Sequence, residues 1–135
     1  MSPLASAVLV YEKAPRWESE LKRRLSGREL LVRPCRSPGD VTAFCREMPG
    51  SVVVADLAAG AAEGLRLLET LLKRRLRAFV VVVASCELAD LEWPARELGA
   101  AQFVNDTLGG EALAQCCRQL LIVPGLARQW GGRGS

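Results

Sequence analysis

Short runs of consecutive apolar residues recur along this chain, and between them apolar positions fall three and four apart. The runs predict strands buried on both faces, and the spaced positions predict helices with one apolar stripe. Ala7 to Tyr11 reads as a first strand, followed by an amphipathic helix from Pro15 to Leu25, opened by its proline and closed by Gly27. Glu29 to Arg33 is a second strand. Ser37-Pro-Gly-Asp40 starts a helix on which Val41, Phe44, Cys45 and Met48 share one face, until Pro49-Gly50 stops it. Ser51 to Ala55 forms a third strand that ends on Asp56. Gly64 to Leu76 then makes a helix with Leu65, Leu68, Leu71, Leu72 and Leu76. Phe79 to Ala84 is the fourth strand, Asp90 to Leu98 a helix ended by Gly99, Ala101 to Val104 the fifth strand, and Gly110 to Leu121 the last helix.

Five strands alternating with five helices imply an α/β fold, a doubly wound parallel sheet with right-handed crossovers. For this length the flavodoxin-like strand order 2-1-3-4-5 fits best. Strands 1 and 3 then flank the switch point, where open sheets of this kind place their chemistry, so Glu12 and Asp56 are expected side by side. An aspartate just past a strand is also a common N-cap or turn former, and Asp56 carries both readings.

Composition narrows the function classes. A chain of 135 residues, half of them hydrophobic, suits one compact domain. We place that domain at 1–123 and read the turn-rich 124–135, with Arg128, Trp130 and Arg133, as a flexible tail. The apolar runs are too short to cross a membrane and no leader pattern opens the chain, so a cytoplasmic protein without membrane contact is expected. Five cysteines without CxxC spacing and no histidine exclude the common zinc sites, Ser-His-Asp hydrolases and Cys-His nucleophiles. The cysteines read as free thiols, Cys116-Cys117 included. The net charge of +3 is mild, and Lys22-Arg23-Arg24 and Lys73-Arg74-Arg75 with Arg77 read as solvated helix faces. No aromatics interleave with them, which disfavours nucleic acid. Gly109-Gly110 lacks the Lys-Ser/Thr of a phosphate loop, and Trp17 and Trp93 are expected to pack.

With Asp56 at the end of strand 3 and Gly64-Leu65 eight residues on, the chain resembles the receiver domains of two-component response regulators, the CheY-like fold. The resemblance spans roughly residues 6 to 122 and implies that Asp56 corresponds to the phosphoacceptor. Receivers usually carry two acids after strand 1; here these positions hold Tyr11 and Glu12. The hydroxyl residue ending strand 4 falls on Ala84, with Ser85 beside it. The lysine after strand 5, usually followed by proline, falls on Asp106. The usual proline after the phosphoacceptor is also missing, Gly60 standing in that loop.

Phosphoryl transfer to a carboxylate rests on positioning and charge neutralisation, so these departures bear on activity. At about 4 Å and an effective dielectric near 20, a unit charge pair is worth about 4 kcal/mol, so lysine to aspartate swings the site by up to roughly 8 kcal/mol. The resemblance therefore implies a degenerate, pseudo-receiver module that is not an enzyme and acts mainly through protein–protein interaction. Its partners would be a histidine kinase, an output protein or a second copy of itself. Glu12 and Asp56 are the candidate metal ligands, and Mg²⁺ binding is expected to be weak. The alternative is a working receiver, phosphorylated on Asp56 with Mg²⁺ and with Ser85 in place of the hydroxyl. A flavin or nucleotide protein is disfavoured, since Glu12-Lys-Ala-Pro-Arg16 is no hydroxyl-rich phosphate loop. The expected partner face lies on the fourth helix, fifth strand and last helix, with Leu108 and Leu113 as apolar area and Glu97, Glu111 and Arg118 as polar rim.

Overall fold

A computed structural model describes residues 6–25 and 30–121. The strands are β1 (Ser6–Tyr11), β2 (Leu30–Cys35), β3 (Ser51–Asp56), β4 (Ala78–Ala84) and β5 (Ala100–Asn105). All neighbours pair in parallel, in the order β2-β1-β3-β4-β5. The expected fold class and strand order are therefore observed. The helices are α1 (Trp17–Arg24), α2 (Pro38–Glu47), α3 (Ala61–Lys73), α4 (Glu92–Glu97) and α5 over 110–121. The expected stop at Gly27 and the tail at 124–135 lie outside the described residues.

Successive strand side chains point to opposite faces, so each run of valines feeds two cores. Leu9, Tyr11, Val53, Ala55, Val80, Val82 and Ala84 pack with α2, α3 and α4. Val8, Val10, Val52, Val54, Val81 and Val83 pack with Trp17 and Leu21 of α1 and with Leu113 and Cys117 of α5. This parity also decides where residues at the strand ends point: Tyr11 faces α3, whereas Glu12 faces α1.

Several boundaries move, each for a local reason. The third helix begins at Ala61, after Gly60 turns the chain at φ +139°, and ends at Lys73. Gly64 is thus inside the helix rather than at its start. A Cβ there would strike the Leu57 side chain, so close packing explains the glycine. Leu67 takes a core position on that helix, while Leu72 turns outward with 53 % of its surface exposed. The expected fourth helix divides into a 3-10 turn over Cys86–Leu91 and the short α4. Pro94 is accommodated there because a helix's first turn has no intrahelical partner for its N–H groups. Strand β2 extends through Pro34, which an edge strand tolerates because one side of its backbone has no ladder. Ser37 caps α2 as expected, its hydroxyl accepting from the Asp40 amide at 3.2 Å.

Of the two tryptophans expected to pack, Trp17 does, at 1 % exposure; Trp93 does not, at 70 %. Cys35, Cys45 and Cys117 are buried, Cys116 is half-buried and Cys86 is exposed; all five are free thiols. Burial pushes the Cys117 thiol up to about 12, so it is an inert core residue and Cys116-Cys117 forms no reactive pair. Among the described residues, no helix is long and apolar enough to cross a membrane.

Candidate functional site

The parallel sheet brings the ends of β1, β3, β4 and β5 to one edge. Tyr11 is in register with Ala55, Asp56 with Val83, and Ala84 with Asn105. Glu12, Asp56, Ala84, Ser85 and Asp106 therefore converge, as expected. The loops after β4 and β5 are joined by the Asp106 amide, which donates to the Ala84 carbonyl at 2.8 Å.

Glu12 is held by the start of α1. Its Oε1 accepts from the backbone amides of Arg16 at 3.1 Å and Trp17 at 2.9 Å, and its Oε2 from that of Glu18 at 3.1 Å. Three amides at a helix N-terminus are donors without intrahelical partners, and a carboxylate there also meets the positive end of the helix dipole. No side chain at the Arg16 cap position performs this role, so the strand-end glutamate does it from five residues before the helix.

Trp17 links the two carboxylates. Its backbone amide donates to Glu12, and its indole Nε1 donates to Asp56 Oδ2 at 3.0 Å. The other Asp56 oxygen accepts from the Ala58 amide at 2.9 Å and caps the 3-10 turn over Leu57–Ala59. Both readings of Asp56 thus hold in geometry: it stands at the mouth of the sheet, and it caps the turn that follows. Arg16 lies over the Trp17 ring, 3.8 Å from its centroid, and its Nη2 donates to the Asp106 carbonyl at 2.7 Å. A guanidinium from the first loop therefore supplies positive charge beside Asp106. Asn105 makes the local turn, its side chain accepting from the Thr107 amide at 2.9 Å.

Tyr11 occupies an acid position and turns to the other face, where its hydroxyl donates to Glu63 of α3 at 2.5 Å. Burial, reinforced by the neighbouring carboxylate, pushes its hydroxyl up to about 12. Ala84 is buried and offers only a backbone carbonyl. Ser85 is half-buried and precedes the 3-10 turn without capping it through its side chain.

The carboxylates of this site are largely engaged by the protein itself. Glu12 and Asp56 accept from five protein N–H groups between them, which leaves fewer of their lone pairs for a cation such as Mg²⁺. Among the described residues, no cluster of three or more acid, cysteine or histidine side chains is placed to hold a metal.

One residue of the expected partner face needs correction. Leu113 is fully buried against the sheet and offers nothing to a partner. Glu111 and Arg118 form a polar seam with α1: Arg24 reaches Glu111 at 3.4 Å, and Arg118 donates to Glu111 at 2.9 Å and to the Arg24 carbonyl at 3.1 Å. The carboxylate of Glu20 and the guanidinium of Arg24 close over Gly110 at the start of α5. Of the named residues, Glu97 is exposed and Leu108 half-buried.

Solved structures share this fold. The receiver domain of the TMAO respiratory system response regulator TorR superposes with a TM-score of 0.72 at 17 % identity, covering 85 % of this chain and 95 % of that one. This chain has the receiver-domain fold. The signal receiver domain of a LuxO repressor protein from Vibrio parahaemolyticus gives 0.76 at 15 % identity over 91 % and 95 % of the two chains. A response regulator from Thermotoga maritima gives 0.72 at 17 % identity over 87 % and 98 %. No protein-family model and no curated protein matches the sequence. Against this receiver frame, Arg16, Trp17 and Glu63 are the site residues that sequence reasoning missed. The available signal was Glu12 standing four to six residues before the first amides of a helix that lacks its own capping side chain.

Proposed function

We propose that this receiver-fold chain is a degenerate signalling module that acts through protein–protein contacts rather than by phosphoryl transfer at Asp56. One observation carries the reading: the buried Trp17 indole donates to Asp56 Oδ2 at 3.0 Å, so the carboxylate is held by the domain's own core. An attacking carboxylate must approach a phosphorus atom freely, and here both oxygens accept hydrogen bonds from the protein. Glu12 is similarly engaged at α1. The module would serve two-component signalling in the cytoplasm, taking a kinase or output protein as partner.

Arg16 favours a second reading, a working phosphoacceptor, since its guanidinium brings to this edge the positive charge that Asp106 lacks. The deciding experiment is incubation with a small-molecule phosphodonor and Mg²⁺, followed by intact mass measurement. No added phosphoryl group is expected. A phosphoryl mass increment that disappears in Asp56→Asn would establish the second reading and overturn the first.

A further inference from the structure

Leu72 and Trp93 are the large hydrophobic residues exposed among the described residues, at 53 % and 70 %. Scattered exposed apolar residues are ordinary. These two, however, sit among charges of opposite sign. Leu72 helps line a hollow of about 70 Å³ with Leu68, Leu71, Leu76 and Leu98, at the end of the sheet away from Asp56. The hollow is far smaller than a metabolite site, which runs to several hundred Å³. Lys73, Arg74, Arg75 and Arg77 follow directly and are exposed, and among the described residues only Lys73 has an ion-pair partner, Glu69 at 3.3 Å. Arg75 adopts φ +55°, the left-handed region.

Trp93 stands in the first turn of α4. Around it Glu87, Asp90, Glu92 and Glu97 are exposed, against the single cation Arg96, which pairs with Glu92 at 2.9 Å. One surface is apolar with a cationic rim, and the other is aromatic with an anionic rim.

We propose that the chain pairs with a second copy of itself, Trp93 and the acidic α4 surface of one copy seating on the Leu72 hollow and basic rim of the other. Charge complementarity favours this occupant. The chain's own 122–135 segment carries Arg128 and Arg133 and no acid, the wrong sign for the rim. A nucleic acid would satisfy the rim but leave Trp93 and its acids unmatched. Both surfaces adjoin α4: Trp93 stands in its first turn, and Leu98, its C-cap residue, lines the hollow. A two-fold arrangement in which each Trp93 seats on the other copy's hollow would close a dimer. A buried tryptophan surrounded by complementary charge is a common centre of binding energy. This inference rests on surface composition and is independent of the state of Asp56.

Analytical ultracentrifugation of the full chain from about 10 µM to about 1 mM at low salt tests it. Dimer formation is expected, weakened at about 0.5 M salt, with Trp93→Ser raising the dissociation constant roughly tenfold or more. The charge-reversed variants Arg74→Glu/Arg75→Glu and Glu87→Lys/Asp90→Lys should each be monomeric and folded by circular dichroism. Mixed together, they should associate, since each then complements the other at both contacts. A wild-type chain that stays monomeric throughout, or a mixture that fails to associate, overturns the proposal. A monomeric chain that binds a single-stranded oligonucleotide only while Arg74 and Arg75 are present would also overturn it, and would assign the rim to a polyanion.

Discussion

Replacing Trp17 by phenylalanine keeps an aromatic ring in the core but deletes the N–H that Asp56 accepts at 3.0 Å. Two losses follow. The smaller ring leaves a void at a site only 1 % exposed, with transfer and cavity terms of about 1–2 kcal/mol. The lost hydrogen bond to an ionised acceptor is worth about 1.5–3 kcal/mol; water reaches the half-buried Asp56, so we take about 1.5. The sum, about 3 kcal/mol, is a large part of the stability of a typical domain. A double-mutant cycle with Asp56→Ala separates the parts, because the void is common to both backgrounds and the hydrogen bond is not. Guanidinium unfolding followed by far-ultraviolet circular dichroism supplies the four free energies, provided the denaturant slope is unchanged. A coupling of about 1.5 kcal/mol is expected. A coupling near zero at constant slope would show that Trp17 packs beside Asp56 without holding it, and the argument for an engaged carboxylate would fail.

Three further outcomes follow from the same geometry. Tyr11 is the chain's one tyrosine, so absorbance of the phenolate reports it alone; its midpoint should lie near 12 rather than 10, and Glu63→Gln should lower it. Because the folded form holds this proton more tightly than the unfolded chain, Tyr11's own contribution to stability is fully present below pH 10 and is lost as the pH rises toward about 12. A midpoint at 10 would contradict the buried pairing with Glu63. Gly64→Ala should destabilise by about 1–2 kcal/mol despite better helix propensity, since the new methyl meets the buried Leu57; a stabilised variant in thermal unfolding would refute the close packing. Glu12→Ala should cost about 1–2 kcal/mol and speed hydrogen exchange at the amides of Arg16, Trp17 and Glu18, whereas unchanged protection would remove Glu12 from its capping role.

The outline of the fold was legible because it depends on local periodicity. The valine runs at Ser51 to Ala55 and Phe79 to Ala84 are buried on both faces, and that burial is written in consecutive apolar residues. The alternation of such runs with helices restricts the topology, so the convergence of Glu12, Asp56 and Asp106 also followed from the sequence. Boundaries were harder: Gly64 reads as a helix start until Leu57 is seen against it, and no local pattern announces that contact. Trp93 and Trp17 look alike along the chain, both near helix starts, but one helix is inserted against the sheet and the other turns its aromatic residue to solvent.

What the sequence determined by itself was therefore the order of elements, the sheet and the presence of an acid at its mouth, since each is set by residues close in the chain. What only the tertiary structure decided was how that acid is used. Trp17 lies thirty-nine residues from Asp56, Arg16 ninety from Asp106 and Tyr11 fifty-two from Glu63. Side-chain hydrogen bonds over such separations exist only after the sheet has set strand parity and register, and their donors and acceptors have no periodicity to reveal them.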